Sequence, residues 1–362
     1  MNKFSRRAAL AMMGATLSAP SLLRAQTQPK IAFVMNGRPD NDSWYFEHER
    51  GVNIAREAHG GRAQIDSIFD VPEWGQGDRE AIQALCDDGY GMIFTCSFGY
   101  MQSTFESALM NPGVTFEHNT GYVRAANLAT YSIRWYEGRT VEGTLAGQMT
   151  RSNKIGYIAT FPIPEVLRGI NAAFLAARAV NPEVELEVIW VNTWFDPVRE
   201  EEAARELASK GVDVIMTHAN TSKHIEVAEE LGIFAIGKAT DRTSEGPNAV
   251  LTSSVNNWGP YYAERIGAFL DGSWESKETW GGLSDEMLTL APISDNVPAR
   301  VKTLGENIVD QFRQGQANAF TGPIKRQNGS GWLAAGETAS DSDLLTMDFF
   351  VEGMRSVIPA AN

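Results

Sequence analysis

Apolar positions along the chain fall into two alternating rhythms. Short runs rich in β-branched residues recur at Ile31 to Met35, Met92 to Thr95, Ile155 to Ala159, Leu186 to Val191, Val212 to Met216, Phe234 to Ile236 and Val250 to Ser253. Between them lie segments with helical spacing, as in Val141, Leu145 and Met149 or Val166, Ile170 and Phe174, whose stripes read as core facing a sheet. Strands alternating with helices predict parallel sheets with helices on both faces. A helix is also expected at Asp196-Pro197: aspartate caps free amides, proline suits the first turn, and Glu200, Glu201 and Glu202 complement the positive end of the dipole.

The rhythm occurs twice, over about residues 28–134 and about 135–256, followed by a tail with fewer strands. It predicts an α/β fold of two doubly wound parallel-sheet lobes whose strand carboxyl ends face each other across a ligand cleft. The expected N-terminal lobe takes residues 26–134 plus about 257–284, and the C-terminal lobe 135–256 plus about 285–362, with the tail crossing between lobes. Asn328 to Ser342, rich in Gly and Ser, reads as a surface loop.

With 43% hydrophobic and 21% charged residues in a 362-residue chain, disorder is excluded and two cores are the natural division. A net charge of −14 provides no basic face and argues against nucleic acid. Residues 1–25 differ from the rest: Lys3, Arg6 and Arg7 precede an apolar run from Ala8 to Leu17 and a small-residue stretch ending at Ala25. That order predicts an export signal, with Ser5-Arg6-Arg7 similar to a twin-arginine signal and cleavage near Ala25. The run is shorter than the roughly 20 residues that span a bilayer, so no membrane insertion is expected. The cysteines, Cys86 and Cys96, do not stand behind the signal where a lipid would attach, which predicts a free periplasmic protein with two reduced thiols.

The loops at predicted strand ends are aromatic and amide-rich. They carry Asp40, Asn41, Asp42, Trp44 and Tyr45 in the first loop and Ser97, Phe98 and Gly99 after Cys96. In the second half they carry Phe161, then Trp194 and Phe195, then His218 and Asn220, and finally Lys238 and Asp241. Large rings on solvent-facing loops need cover, so their convergence on the cleft predicts a flat ligand clamped between them; stacking on a base contributes roughly 1–3 kcal/mol. The competing reading has Trp44 and Trp194 bracing the lobes. Asp40, Asn41 and Asp42 suit either acceptance from a ring N–H or a turn and helix cap. His218 suits a core position or a ligand contact, and Lys238 a ligand bond or a solvated side chain. Catalytic signatures are missing: there is no nucleophile elbow, His-Glu-x-x-His, Cys-x-x-Cys or phosphate loop. Glu117 and His118 are adjacent on a strand, so they point to opposite faces and cannot share a metal. Neither enzyme activity, metal nor cofactor is expected.

These residues together resemble the basic membrane protein family of ABC-transporter solute receptors, which includes purine nucleoside receptors. The landmarks are the Trp44 loop with His48 downstream, Phe94 to Tyr100, Tyr136-Glu137-Gly138-Arg139 leading into Leu145-Ala146-Gly147, Phe161 to Glu165, Trp194 to Pro197, Asn256 to Pro260, and Leu290-Ala291-Pro292 with Val297-Pro298. The resemblance implies a type I periplasmic binding fold that closes on its ligand, and a base held between Trp44 and Trp194. It also implies an ABC-type permease as partner; the receptor itself is expected to be a monomer. In the nucleoside-binding pattern, an acidic residue stands where this chain has Asn41, an asparagine where it has Tyr45, and the first of two aspartates where it has Ala239, leaving Asp241. Loss of a ribose acceptor beside the large Trp44 ring favours a nucleobase such as adenine over a nucleoside. An exported nucleoside hydrolase, or a ligand-sensing receptor for a signalling partner, are the alternatives.

Overall fold

The computed structural model describes residues 28–40 and 42–360; the export-signal reading and Asn41 fall outside the described residues. The first half runs β1 (Lys30–Val34), α1 (Ser43–His59), β2 (Gln64–Ile68), α2 (Gln76–Asp87), β3 (Tyr90–Thr95), α3 (Met101–Met110), β4 (Thr115–Asn119) and β5 (Leu128–Ile133). The second half runs α4 (Trp135–Met149), β6 (Lys154–Ala159), α5 (Pro164–Val180), β7 (Glu185–Trp190), α6 (Pro197–Ser209), β8 (Val214–Thr217), α7 (Lys223–Leu231), β9 (Phe234–Gly237) and β10 (Val250–Asn256). The tail adds α8 (Gly259–Leu270), β11 (Glu278–Gly281), β12 (Leu288–Leu290), α9 (Ala299–Arg313), β13 (Ile324–Lys325), β14 (Gly331–Leu333) and α10 (Asp341–Leu345).

Two six-stranded sheets result, ordered β2-β1-β3-β4-β5-β11 and β7-β6-β8-β9-β10-β12. The first five strands of the second order repeat those of the first shifted by five, and β11 and β12 of the tail each complete one sheet, so each lobe is doubly wound and reverses its strand order beside its own first strand. Pairing is parallel except where β12 runs antiparallel to β10. The chain passes between sheets at β5 to α4, at β10 to α8 and between β11 and β12, so three strands of backbone join the lobes. Among the described residues, no helix is long and apolar enough to cross a membrane.

The stripes read from sequence do face a sheet. Leu145, Val166, Ile170 and Phe174 share one buried cluster with Ile155 and Tyr157 of β6 and Val214 and Met216 of β8. Helices α4 and α5 approach so closely that a Cβ on Gly143 would collide with the backbone of Ala173, and one on Gly147 with that of Ala177. The tail packs on the second lobe, where Phe320, Ile324, Leu344 and Phe350 join the same cluster. Asn328 to Ser342 is not loop throughout: Gly331–Leu333 pairs with β13, because Leu333 is buried against that core, and Ser340 caps α10.

Local chemistry accounts for the helix starts. Asp196 accepts from the amides of Val198 and Arg199 with Pro197 in the first turn, as expected. Glu200 stands in the first turn as expected, and it is buried there, accepting from Thr221 Oγ1 at 2.6 Å. In the first loop Asp42 is a helix cap, taking the amides of Trp44 at 2.8 Å and Tyr45 at 3.2 Å. Trp44 and Tyr45 therefore stand in the first turn of α1 rather than on a loop. Both cysteines are free thiols, Cys96 inside the first-lobe core.

Candidate functional site

Strand order reverses between β1 and β3 in one sheet and between β6 and β8 in the other, and the segments leaving these strands meet across the cleft. An inner pocket is lined from the first lobe by Trp44, Tyr45, Ser97, Phe98 and Thr120, and from the second by Glu165, Trp194, His218, Asn220 and Lys238. An outer hollow shares Tyr45 and Trp194 with it and adds Glu73, Trp74, Phe161 and Phe195. The lobes are in contact: Ser43 donates to the Asn220 carbonyl through its amide at 3.2 Å and its hydroxyl at 3.0 Å, and Asn220 Nδ2 donates to Asp42 at 3.0 Å.

Trp44 is fixed by its neighbours. Its indole N–H donates to the Cys96 carbonyl at 2.8 Å, its ring lies 27° from parallel with Trp135 at 6.0 Å, and the edge of Trp258 meets it at 5.9 Å. The Lys238 ammonium sits 5.1 Å from the Trp44 ring centre and 5.8 Å from that of Trp135. Trp194 meets Phe161 edge-on at 4.8 Å and lies 6.3 Å from His218. The two indoles line one pocket, but the ring most nearly parallel to Trp44 is that of Trp135. At the mouth, Trp74 bridges the lobes, 5.7 Å from Phe98 and 6.4 Å from Phe161.

The polar lining carries opposite charges in a dry setting. Burial lowers the Lys238 ammonium to about 8, although Asp42 and Glu165 support its charge. Burial likewise raises Asp42 to about 6 against the pull of Lys238, so both are mostly ionised at neutral pH. Burial holds His218 neutral, at about 4, while its Nε2 faces Glu165 Oε1 at 3.2 Å. Burial opposes charge on Glu165 too, but the His218 hydrogen bond and nearby cations outweigh it and keep the group below the usual glutamate value. Glu73, raised to about 7 by burial, faces Ser97, Asn36 and Trp194 without reaching bonding geometry with any of them. Among the described residues no group of His, Cys, Asp and Glu is arranged to hold a metal.

Most of the expected residues converge. Trp44, Tyr45, Ser97, Phe98, Trp194, His218, Asn220 and Lys238 line the inner pocket, and Phe161 and Phe195 the outer one. Lys238 is buried rather than solvated, because it donates to Asn220 Oδ1 and packs over indole. Two residues fall elsewhere. Asp241 is exposed, and its carboxylate is occupied by the amide and hydroxyl of Thr243 in a turn. Gly99 lies under the pocket wall, where a Cβ would strike the Glu73 side chain. Sequence reasoning passed over Glu73, Trp74, Thr120 and Trp135. It also quoted Glu165 without assigning it a role, although Pro164-Glu165 opens α5 as Asp196-Pro197 opens α6.

Comparison with known proteins agrees with this architecture. The family model for PnrA-like ABC transporter substrate-binding proteins matches residues 28–313. A purine-binding protein of Brucella abortus is 41% identical over 335 residues, covering 92% of this chain and 95% of that one. A protein of Haloferax volcanii whose name assigns it to glucose binding in an ABC transporter is 34% identical, covering 90% of this chain and 82% of its own length. Among solved structures, an ABC-transporter solute-binding protein from Aeropyrum pernix superposes with a TM-score of 0.69 at 17% identity, over 87% of this chain and 95% of that chain. That likeness shows the type I periplasmic binding fold, and the family is one of solute binders rather than hydrolases. With a small molecule as ligand and a permease as partner, the chain belongs to the Bmp family of ABC transporter substrate-binding proteins.

Proposed function

We propose that the protein captures a purine, a free nucleobase such as adenine in preference to a nucleoside, in the periplasm and delivers it to an ABC-type importer. The observation that carries this reading is the inner pocket, walled by indole and phenyl rings from both lobes and charged within. A flat heterocycle offers ring faces to Trp44, Phe98 and Trp194 and polar edges to Glu165, His218, Asn220 and Lys238. Ser97, Tyr45, Phe161 and Phe195 complete the enclosure. Asp241, the remaining ribose acceptor of the nucleoside pattern, is turned into a capping interaction, which supports a base without its sugar. The purine-binding relative at 41% identity agrees with this ligand class.

The receptor opens by hinge bending at its crossings, and a ligand touching both lobes favours the closed form through its differential contacts. The export reading of residues 1–25 would put the mature chain outside the inner membrane, unattached to lipid. Calorimetric titration of the mature protein with adenine, adenosine and glucose tests the assignment. Adenine is expected to bind tightest and to raise the melting temperature by mass action. Adenosine binding at least tenfold tighter than adenine, about 1.4 kcal/mol, would reverse the choice of base over nucleoside. Glucose binding alone would overturn the purine reading.

A further inference from the structure

The polar groups at the pocket's second-lobe wall form a defined pattern of donors and acceptors. Glu165 and His218 are both buried, and Nε2 of the histidine meets Oε1 of the glutamate at 3.2 Å. An ionised carboxylate can only accept, so that contact requires the proton on Nε2. Nδ1 of the neutral ring is then an acceptor. Among the described residues, neither His218 Nδ1 nor Glu165 Oε2 has a hydrogen-bond partner, although both are buried. A buried acceptor left unpaired costs free energy, and a binding site recovers that cost when its ligand supplies the donor. Among the described residues Lys238 is the one cation lining the pocket; it gives a hydrogen to Asn220 and retains two others.

Building on the purine reading, we infer that Glu165, oriented by His218, is the residue that selects a 6-aminopurine over a 6-oxopurine. The exocyclic amino group donates to Glu165 Oε2, and the Lys238 ammonium supplies the donor for a ring nitrogen. A 6-oxopurine turns a carbonyl oxygen and its lone pairs toward the same carboxylate. Two acceptors then face each other in a dry site, a mismatch that discriminates more strongly than shape alone.

The test is a titration series on the mature full-length protein at pH 7.4 with adenine, hypoxanthine and unsubstituted purine. The unmutated protein should bind adenine at least 30-fold tighter than hypoxanthine and at least tenfold tighter than purine, which lacks the amino group. Glu165→Gln, whose amide can both donate and accept, should reduce the adenine-to-hypoxanthine ratio at least tenfold. The purine comparison needs no mutant, so it decides even where the variant fails to fold. Equal affinity for adenine and purine, or an unchanged ratio in a folded Glu165→Gln, overturns the assignment while leaving the purine reading intact. Failure of the unmutated protein to bind any of the three overturns both.

Discussion

At the residue scale the two candidate stacking tryptophans are not equivalent. Trp44 is 7% exposed and wedged among Trp135, Trp258 and His48, so its replacement removes core as well as ligand contact. Trp44→Ala should cost about 3–5 kcal/mol of stability, read from urea unfolding, and weaken purine binding as well. Trp194 is only partly buried, on the segment between β7 and α6, and Trp194→Ala should weaken binding at least tenfold with a stability change under about 1 kcal/mol. Matching losses of stability in both variants would contradict this distinction.

His118 offers a pH prediction of defined sign. Burial alone lowers it from 6.5 to about 3. The unfolded chain therefore binds a proton that the native state refuses as pH falls below 6.5, and the stability due to the neutral ring is lost toward pH 3. His118→Gln should lose less stability on acidification than the unmutated protein, by up to about 1.4 kcal/mol per pH unit below pH 6, measured as the difference in urea midpoints between pH 7 and pH 4.5.

At the scale of elements, the second lobe depends on the close pairing of α4 and α5. Gly143 lies against the Ala173 backbone, where no side chain has room. Gly143→Ala must push the helices apart and should destabilise the protein by about 1–3 kcal/mol. Both helices are rooted at the site, α4 beginning at Trp135 and α5 carrying Glu165 near its start. Calorimetry on the variant should accordingly show a modest loss of affinity beside the lower unfolding midpoint.

For the whole molecule, Asn220 is one element of closure that does not require ligand, beside Trp74 at the mouth and Lys238 over Trp44. Its carbonyl takes two hydrogen bonds from Ser43, and its side chain links Asp42 of one lobe to Lys238 of the other. Asn220→Ala keeps the backbone contacts but leaves two buried charges without their common partner. The ligand-free variant should show a larger radius of gyration by small-angle scattering, and ligand affinity should fall by about tenfold, or about 1.4 kcal/mol. An unchanged scattering profile would show that the remaining contacts, among them those of Ser43, Trp74 and Lys238, hold the lobes together without the Asn220 side chain.

Patterning along the chain determined the doubly wound architecture, because β-branched runs and helical stripes are imposed by burial and are written locally. It located the strands that end at the cleft and the Asp196 cap, since capping needs only a side chain and its own next amides. It missed β2, an edge strand that reads Gln64-Ile65-Asp66-Ser67-Ile68 and buries little, and with it Trp74 in the segment that follows. The tertiary structure decided which polar residues face inward. Lys238 and Asp241 stand three residues apart after the same strand, yet one lies over an indole in the pocket and the other caps a surface turn. No local rule separates them, because the partners that make burial of Lys238 tolerable come from distant segments: Glu165 and Asn220 are brought to it by the folding of the second lobe, and Asp42 reaches it from the first lobe across the cleft.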